Sequence, residues 1–366
     1  MSNRRSFLKN AAAGVVFASC EFARSAQAYQ APKRRQVTVR GRRVRTVDVH
    51  AHIRITEVWN LVKDTDHGKA LERLLAVPDA KLDAHSVDAR LTDMDNAGVD
   101  VQAVSIAQFG IWDWADRELA GKITRLQNEK MAEFCALHPD RFVGLGSVAM
   151  HHPDESPKQL EEAVKKFGLR GCCITSEVDG EELSDPKFHP FWAKAEELQA
   201  LVFIHPQGFR EGAKRFRGNG NLGNTVGSPL ATTVALTHLI EEGTLDRFPN
   251  VKICAAHGGG YLPNYAGRMD VCLNVFPENC KPLKKLPSEY LKQLYYDTIL
   301  FTGEGLRHLV ATVGASQVMM GTDYSAPWNP NPVDHIMGTP TLSNADRIAI
   351  LGGNAARILK LGSERS

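Results

Sequence analysis

Eight short apolar runs recur along the chain: Val44–Val49, Val99–Ile106, Phe142–Val148, Gly171–Thr175, Leu201–Ile204, Val251–Ala256, Leu294–Ile299 and Val318–Gly321. Each has the length of a strand and is rich in Val, Ile and aromatic residues. Between most of them stand segments of helical length and pattern: Ser86–Ala97, Ala120–Leu137, Lys158–Phe167, Pro190–Leu198, Ala231–Glu242 and Gly303–Val313. The runs are continuously apolar rather than alternating, as in a parallel sheet buried on both faces. Eight strand–helix units predict an α/β fold, a (β/α)8 TIM-type barrel that forms one domain over 44–366. Insertions fall at 53–85 and 206–230. The second contains Gly208–Gly227, rich in Gly, Asn and Arg, and reads as a mobile loop over a site. A doubly wound sheet is the alternative, but no Gly-rich phosphate loop follows the first run.

Composition narrows the class further. A chain of 366 residues that is 43% hydrophobic and 23% charged is ordinary for a globular protein and excludes collagen, coiled-coil and disordered classes. The 44 Lys and Arg against 42 Asp and Glu leave +2, too balanced to suggest a nucleic-acid partner. Seven scattered cysteines with no C-x-x-C pattern exclude a disulfide scaffold. Cys172 and Cys173 are adjacent, and on a strand they point to opposite sides.

The N-terminus reads as a segment apart from the fold. Arg4 and Arg5 precede an apolar stretch, Ala11 to Ala18, and a small-residue cleavage pattern follows at Ala26-Gln27-Ala28. Residues 1–28 are therefore expected to be a twin-arginine export signal, too short to remain as a membrane span, and the protein to be periplasmic or secreted. Cys20, after Phe17-Ala18-Ser19, makes only a poor lipobox. Residues 1–28 hold Arg4, Arg5, Lys9 and Arg24 against Glu21, so their removal turns the +2 of the whole chain into about −1. Residues 29–43 form a basic lead-in, with Lys33, Arg34, Arg35, Arg40, Arg42 and Arg43. That lead-in is either a solvated segment or a patch for anionic surfaces.

The informative residues sit where the runs end. The first closes on Asp48-Val49-His50-Ala51-His52, and residues two apart on a strand share a side, so His50 and His52 can converge on one cation. The fifth ends in His205, the sixth in His257-Gly258-Gly259-Gly260, and the eighth in Gly321-Thr322-Asp323. In a barrel these carboxyl ends meet at one face, where active sites are built. Any one of these histidines alone would be unremarkable in a core. Together they predict a metal site.

These motifs resemble the amidohydrolase superfamily, and more narrowly its branch similar to aminocarboxymuconate-semialdehyde decarboxylase. The resemblance spans about residues 44–361. It includes Phe248-Pro249-Asn250-Val251 before His257, then Pro263 and Gly267-Arg268, and the closing Gly352-Gly353-Asn354-Ala355-Ala356-Arg357. It implies His50, His52, His205 and Asp323 as metal ligands, with His257 as a neighbouring acid/base and Asp323 also able to take a proton. Binuclear relatives carry a carboxylated lysine at the end of the fourth strand. Gly171-Cys172-Cys173-Ile174-Thr175 supplies none, so one divalent ion is expected, zinc foremost, with Mn²⁺, Fe²⁺ or Co²⁺ suiting the same N–O donors. The resemblance also implies a homodimer in which Arg268 reaches the neighbouring subunit's site and clamps a substrate carboxylate. Trp328 falls in a loop that lines pockets in this branch. Trp112, with Trp114 and Phe109, either stacks on a substrate ring or packs the rim. His151 and His152 follow the third run at the same face. Arg90 matches the branch but reads as part of a helix face.

Three functions remain open at this point. One is a metal-dependent non-oxidative decarboxylase of a small unsaturated or aromatic carboxylic acid. The alternative is a metal-dependent hydrolase of an ester, lactone, amide or carbon–carbon bond, using a metal-bound hydroxide. The third, a binding protein without catalysis, fits poorly with five intact site residues.

Overall fold

Where both faces of a strand must be buried, a closed parallel barrel ringed by helices satisfies every backbone group without leaving an edge. The computed structural model, which describes residues 34–75, 82–83, 87–106, 112–329 and 331–362, has this arrangement. Its strands are β1 (Val47–Ile53), β2 (Val101–Ile106), β3 (Phe142–Gly144), β4 (Gly171–Ile174), β5 (Leu201–Ile204), β6 (Lys252–Ala255), β7 (Tyr295–Asp297) and β8 (Val318–Met319). Neighbours pair in parallel within β1–β2–β3 and within β4 to β8. Two seams join these sheets. At one, Gly146 bridges Cys172, and Cys173 N–H donates to the Gly146 carbonyl at 2.9 Å. At the other, Val49 N–H donates to Met320, Asp323 N–H to His50 at 2.8 Å, and His52 N–H to Tyr324.

The period of two sorts each strand's side chains. Val47, Val49, Val101, Ala103, Leu145, Leu201, Phe203, Cys254, Ala256 and Met319 fill the barrel. Ile53, Val104, Ile106, Ile174, Val202, Ile204 and Ile253 face the helical layer. Cys172 joins the outer layer and Cys173 packs with the inner one, and the described cysteines are free. The helices that cover the barrel include α1 (Val87–Ala97), α2 (Arg117–Leu137), α3 (Ser156–Lys165), α4 (His189–Leu198), α5 (Ser228–Glu241), α6 (Leu262–Val275), α7 (Gly303–Val313) and α8 (Asn354–Ile358). Asp116 caps α2 by accepting from Leu119 N–H at 2.9 Å. Among the described residues no helix is long and apolar enough to cross a membrane.

One expectation changes. The lead-in is structured from residue 35 onward: Thr38–Val39 pairs with Arg42–Arg43, Val37 and Val39 are buried, and Arg35 and Arg43 form ion pairs with Asp334 and Asp100. Its valines, outnumbered by arginines in the sequence, attach the segment to the barrel unit, which begins at Arg35 rather than residue 44. The apolar stretch after His257 is the first half of α6, with Pro263 in its first turn. The Gly208–Gly227 insertion contains a short turn at Arg210–Gly212 and a wider one at Gly223–Gly227, and is anchored by an Arg210–Glu177 ion pair at 2.9 Å. The export signal expected at 1–28, and Phe109, lie outside the described residues.

Candidate metal centre

The carboxyl ends of β1, β5 and β8 bring His50, His52, His205 and Asp323 together, with one donor atom from each inside a cluster no wider than 4.8 Å. The Nε2 atoms of His50 and His52 are 3.1 Å apart, and each stands 3.2 Å from Asp323 Oδ1. The His205 ring lies 4.9 Å from both imidazoles, edge to face. A register shift in β1 between Asp48 and Ala51 turns the H-x-H segment into this arrangement. Asp323 has φ of 60°, a conformation costly for a residue with a Cβ and one that concentrates at functional sites.

The second nitrogen of each β1 histidine is held from behind. His50 Nδ1 hydrogen-bonds Asp297 Oδ2 at 2.7 Å, and His52 Nδ1 bonds Ser105 Oγ at 2.9 Å, so both rings present Nε2 to the centre. Asp297 is fully buried and does more. It accepts from the backbone N–H groups of His257 and Gly258, both at 2.9 Å, and of Ile299 at 3.0 Å. Asp48 accepts from His50 N–H, Thr322 N–H, the Thr322 hydroxyl and the Gln102 amide. Arg90, buried under the site, donates to the His52 carbonyl and to Gln102, with its guanidinium 4.4 Å from the centre of the Tyr324 ring. It is a positioning residue rather than part of an exposed helix face.

Charge within the cluster follows from burial set against these partners. Burial opposes a charge on His50, but Asp323 and Asp297 outweigh it and push the imidazole up to about 10. Burial dominates for His52, lowered to about 4, and for His205, lowered well below its usual range. Burial would raise Asp323, yet His50, His257 and His52 hold its carboxyl far below the carboxylate range. Burial lifts Asp48 to about 6. The neutral imidazoles of His52 and His205 beside the ionised Asp323, with His50 giving up its proton as a cation binds, form the N–O donor set a divalent ion requires, and the residues fit such an ion.

His257 stands beside this set. Its Nε2 lies 3.9 Å from Asp323 Oδ2, its ring 5.4 Å and 5.2 Å from those of His50 and His205, and its buried Nδ1 has no hydrogen-bond partner among the described residues. The glycines after it are needed to make this turn. Gly258, Gly259 and Gly260 all have positive φ, and a Cβ on Gly260 would come within 2.1 Å of the Pro229 carbonyl oxygen.

The other expected residues lie elsewhere. Trp112 is buried and lines a small cavity of about 50 Å³ with Asp113 and His151. Trp328 is 44% exposed, and Arg268 is exposed on α6, so neither joins the cluster within one chain. A groove of about 820 Å³ runs between Glu181–His189 and Asp246–Lys284 and shares no residue with the cluster. Sequence reasoning missed Asp297, Ser105 and the role of Asp48. The signal for Asp297 was present, as a lone carboxylate inside the apolar run Leu294–Ile299. Asp297→Asn keeps the shape but loses the charge behind His50. It is expected to weaken metal binding by about 10- to 100-fold, read by competition with a chelator.

Comparison with known proteins agrees with this geometry. A family model described as amidohydrolase matches residues 47–361. The 2-amino-3-carboxymuconate-6-semialdehyde decarboxylase of Dictyostelium discoideum is 33% identical over 276 residues, covering 75% of this chain and 76% of its own. The gamma-resorcylate decarboxylase of Rhodococcus jostii is 28% identical over 290 residues, covering 75% and 87%. Among solved structures, 5-carboxyvanillate decarboxylase from Sphingomonas paucimobilis superposes with a TM-score of 0.77 at 26% identity, over 87% of this chain and all of its own. With the barrel, the strand-end histidines and the family match in agreement, the chain belongs to the amidohydrolase family.

Proposed function

We propose that this protein is a metal-dependent, non-oxidative decarboxylase of a small aromatic or unsaturated carboxylic acid. The observation that carries the reading is His257, with its partnerless Nδ1, set beside a three-histidine, one-aspartate cluster in a chain similar to decarboxylases along most of its length. When bound, a divalent cation supplies Lewis acidity that holds and neutralises substrate oxygens. His50, His52, His205 and Asp323 hold that ion. His257 delivers a proton to the carbon bearing the carboxylate. The bond from that carbon to the carboxylate then breaks, CO₂ leaves, and its electron pair restores the substrate's π system. One ion per chain follows from a β4 end that carries no lysine, and zinc first from the three-nitrogen, one-oxygen donor set. The decisive experiment offers metal-loaded protein a panel of hydroxybenzoates, esters and lactones. CO₂ release without uptake of water is expected. Ester or lactone cleavage without CO₂ would make the protein a hydrolase, and two ions per chain by elemental analysis would overturn the single-metal assignment.

Assembly and export belong to the same reading. The exposed face of α6 carries Tyr265, Val271 and Val275, followed by Phe276, beside the exposed Arg268. Such a patch favours a homodimer in which Arg268 of one chain clamps the carboxylate in the other's site. Mixing inactive His257→Ala and Arg268→Ala chains that exchange subunits should then restore part of the activity, because one intact site forms per mixed dimer. No recovery would place Arg268 outside the site. The paired arginines at 4 and 5 before an apolar stretch support twin-arginine export of residues 29–366 to the periplasm or beyond.

A further inference from the structure

Beside the metal cluster lies a second group of polar atoms that the proposed chemistry does not use. The cavity of about 50 Å³ is bounded by the tips of β2, β3 and β4 and by α2, and its walls include Trp112, Asp113, Ser147, His151, Cys173 and Thr175. It is close to the centre. Cys173 packs with the barrel interior and hydrogen-bonds Ser105, whose hydroxyl bonds His52.

Three atoms in its walls are shielded from solvent and find no hydrogen-bond partner among the described residues: Trp112 Nε1, Asp113 Oδ2 and His151 Nδ1. Their chemistry is complementary to one small group. Trp112 Nε1–H can only donate, and the Asp113 carboxylate accepts. His151 Nε2 and His152 Nε2 both approach the Ala115 carbonyl, at 3.2 and 3.1 Å, so each donates there. That leaves the His151 Nδ1 lone pair facing Asp113 Oδ1 at 3.5 Å, two acceptors with no donor between them. Arg210 is the nearest cation, but at 3.8 Å from Asp113 Oδ2 it is beyond hydrogen-bond reach, and it pairs more closely with Glu177. Burial, together with Glu177 and Asp179, accordingly keeps the Asp113 carboxyl up at about 6 despite Arg210. A buried donor and acceptors left unmade are expensive, and the space suits a group of a few atoms.

The geometry points to a specificity subsite in which Trp112, Asp113 and His151 recognise a hydroxyl or amino substituent carried by the substrate away from its carboxylate. The substituent accepts from Trp112 Nε1–H and donates to Asp113 or His151. This inference rests on the reading of the neighbouring cluster as a site that takes a carboxylic acid, but not on the reaction performed there.

The test measures binding of benzoate, 3-hydroxybenzoate and 4-hydroxybenzoate to metal-loaded protein by calorimetry. At least one hydroxylated isomer is expected to bind about 10-fold tighter than benzoate, the discrimination a buried polar site exerts against a ligand lacking its partner. Trp112→Phe, which removes only the N–H and a little bulk, should reduce that advantage to below about 3-fold, and Asp113→Leu should do the same. Benzoate affinity and metal content should stay unchanged in both variants. An advantage that survives both substitutions, or no advantage in the unaltered protein, leaves these atoms to bound water and overturns the subsite. CO₂ release is scored separately. Discrimination lost in the variants with no CO₂ from any acid would sink the decarboxylase reading and leave the subsite standing.

Discussion

His50→Ala protein is expected to emerge without bound metal and without measurable turnover, both lost in one step. His50 is the member of the cluster that touches most of the others. Its Nε2 is within 3.2 Å of His52 and Asp323, and its Nδ1 is tied to Asp297. Alanine removes a donor outright and leaves a buried carboxylate, Asp297, facing a void where its imidazole stood. Breaking a buried pair of that kind by removing one partner typically costs about 3–5 kcal/mol, so the variant should also melt earlier. Elemental analysis and a thermal scan of one preparation read both effects. Metal retained at full stoichiometry would remove His50 from the ligand set.

The second large effect separates holding the ion from moving the proton. His257→Gln should keep its metal while turnover falls by about 10²- to 10⁴-fold, the usual weight of a positioned general acid. Glutamine preserves the backbone N–H that donates to Asp297 and most of the side-chain volume, so the turn it starts should persist. What it lacks is an imidazole nitrogen that can carry a proton and hand it on. If metal leaves with the imidazole, His257 is a ligand and the proton must come from elsewhere.

These two substitutions also show how much of the site the sequence made legible. The H-x-H at the end of β1 and the strand-end His205, His257 and Asp323 were readable because a barrel places all strand ends on one face. No packing detail was required. The support behind them was harder to see. Asp297 lies 247 residues from His50, and nothing local in Tyr295-Tyr296-Asp297 says which imidazole it will meet. Arg90 read as a helix-face arginine because the α1 pattern does not reveal that a long side chain can run beneath the sheet to the His52 carbonyl. The lead-in failed for a related reason, since its arginines dominate the composition while Val37 and Val39 decide where it packs. The α6 helix hid behind three glycines and a proline. Those residues announce a break, and here they are the break that lets a helix begin.

The seam where the barrel closes has a consequence for how the protein comes into being. Two of the hydrogen bonds that join the first strand to the end of the last are donated by Asp323 to His50 and by His52 to Tyr324, so ring closure and ligand assembly are one event. A chain still on the ribosome, with its C-terminal fifth unsynthesised, holds His50, His52 and His205 but has neither Asp323 nor the last strand that positions it. The full donor set therefore forms late, unlike that of small zinc domains, which are unfolded without their ion. A molecule that has failed to join its two ends lacks the complete donor set, so its metal content would report on whether the barrel has closed.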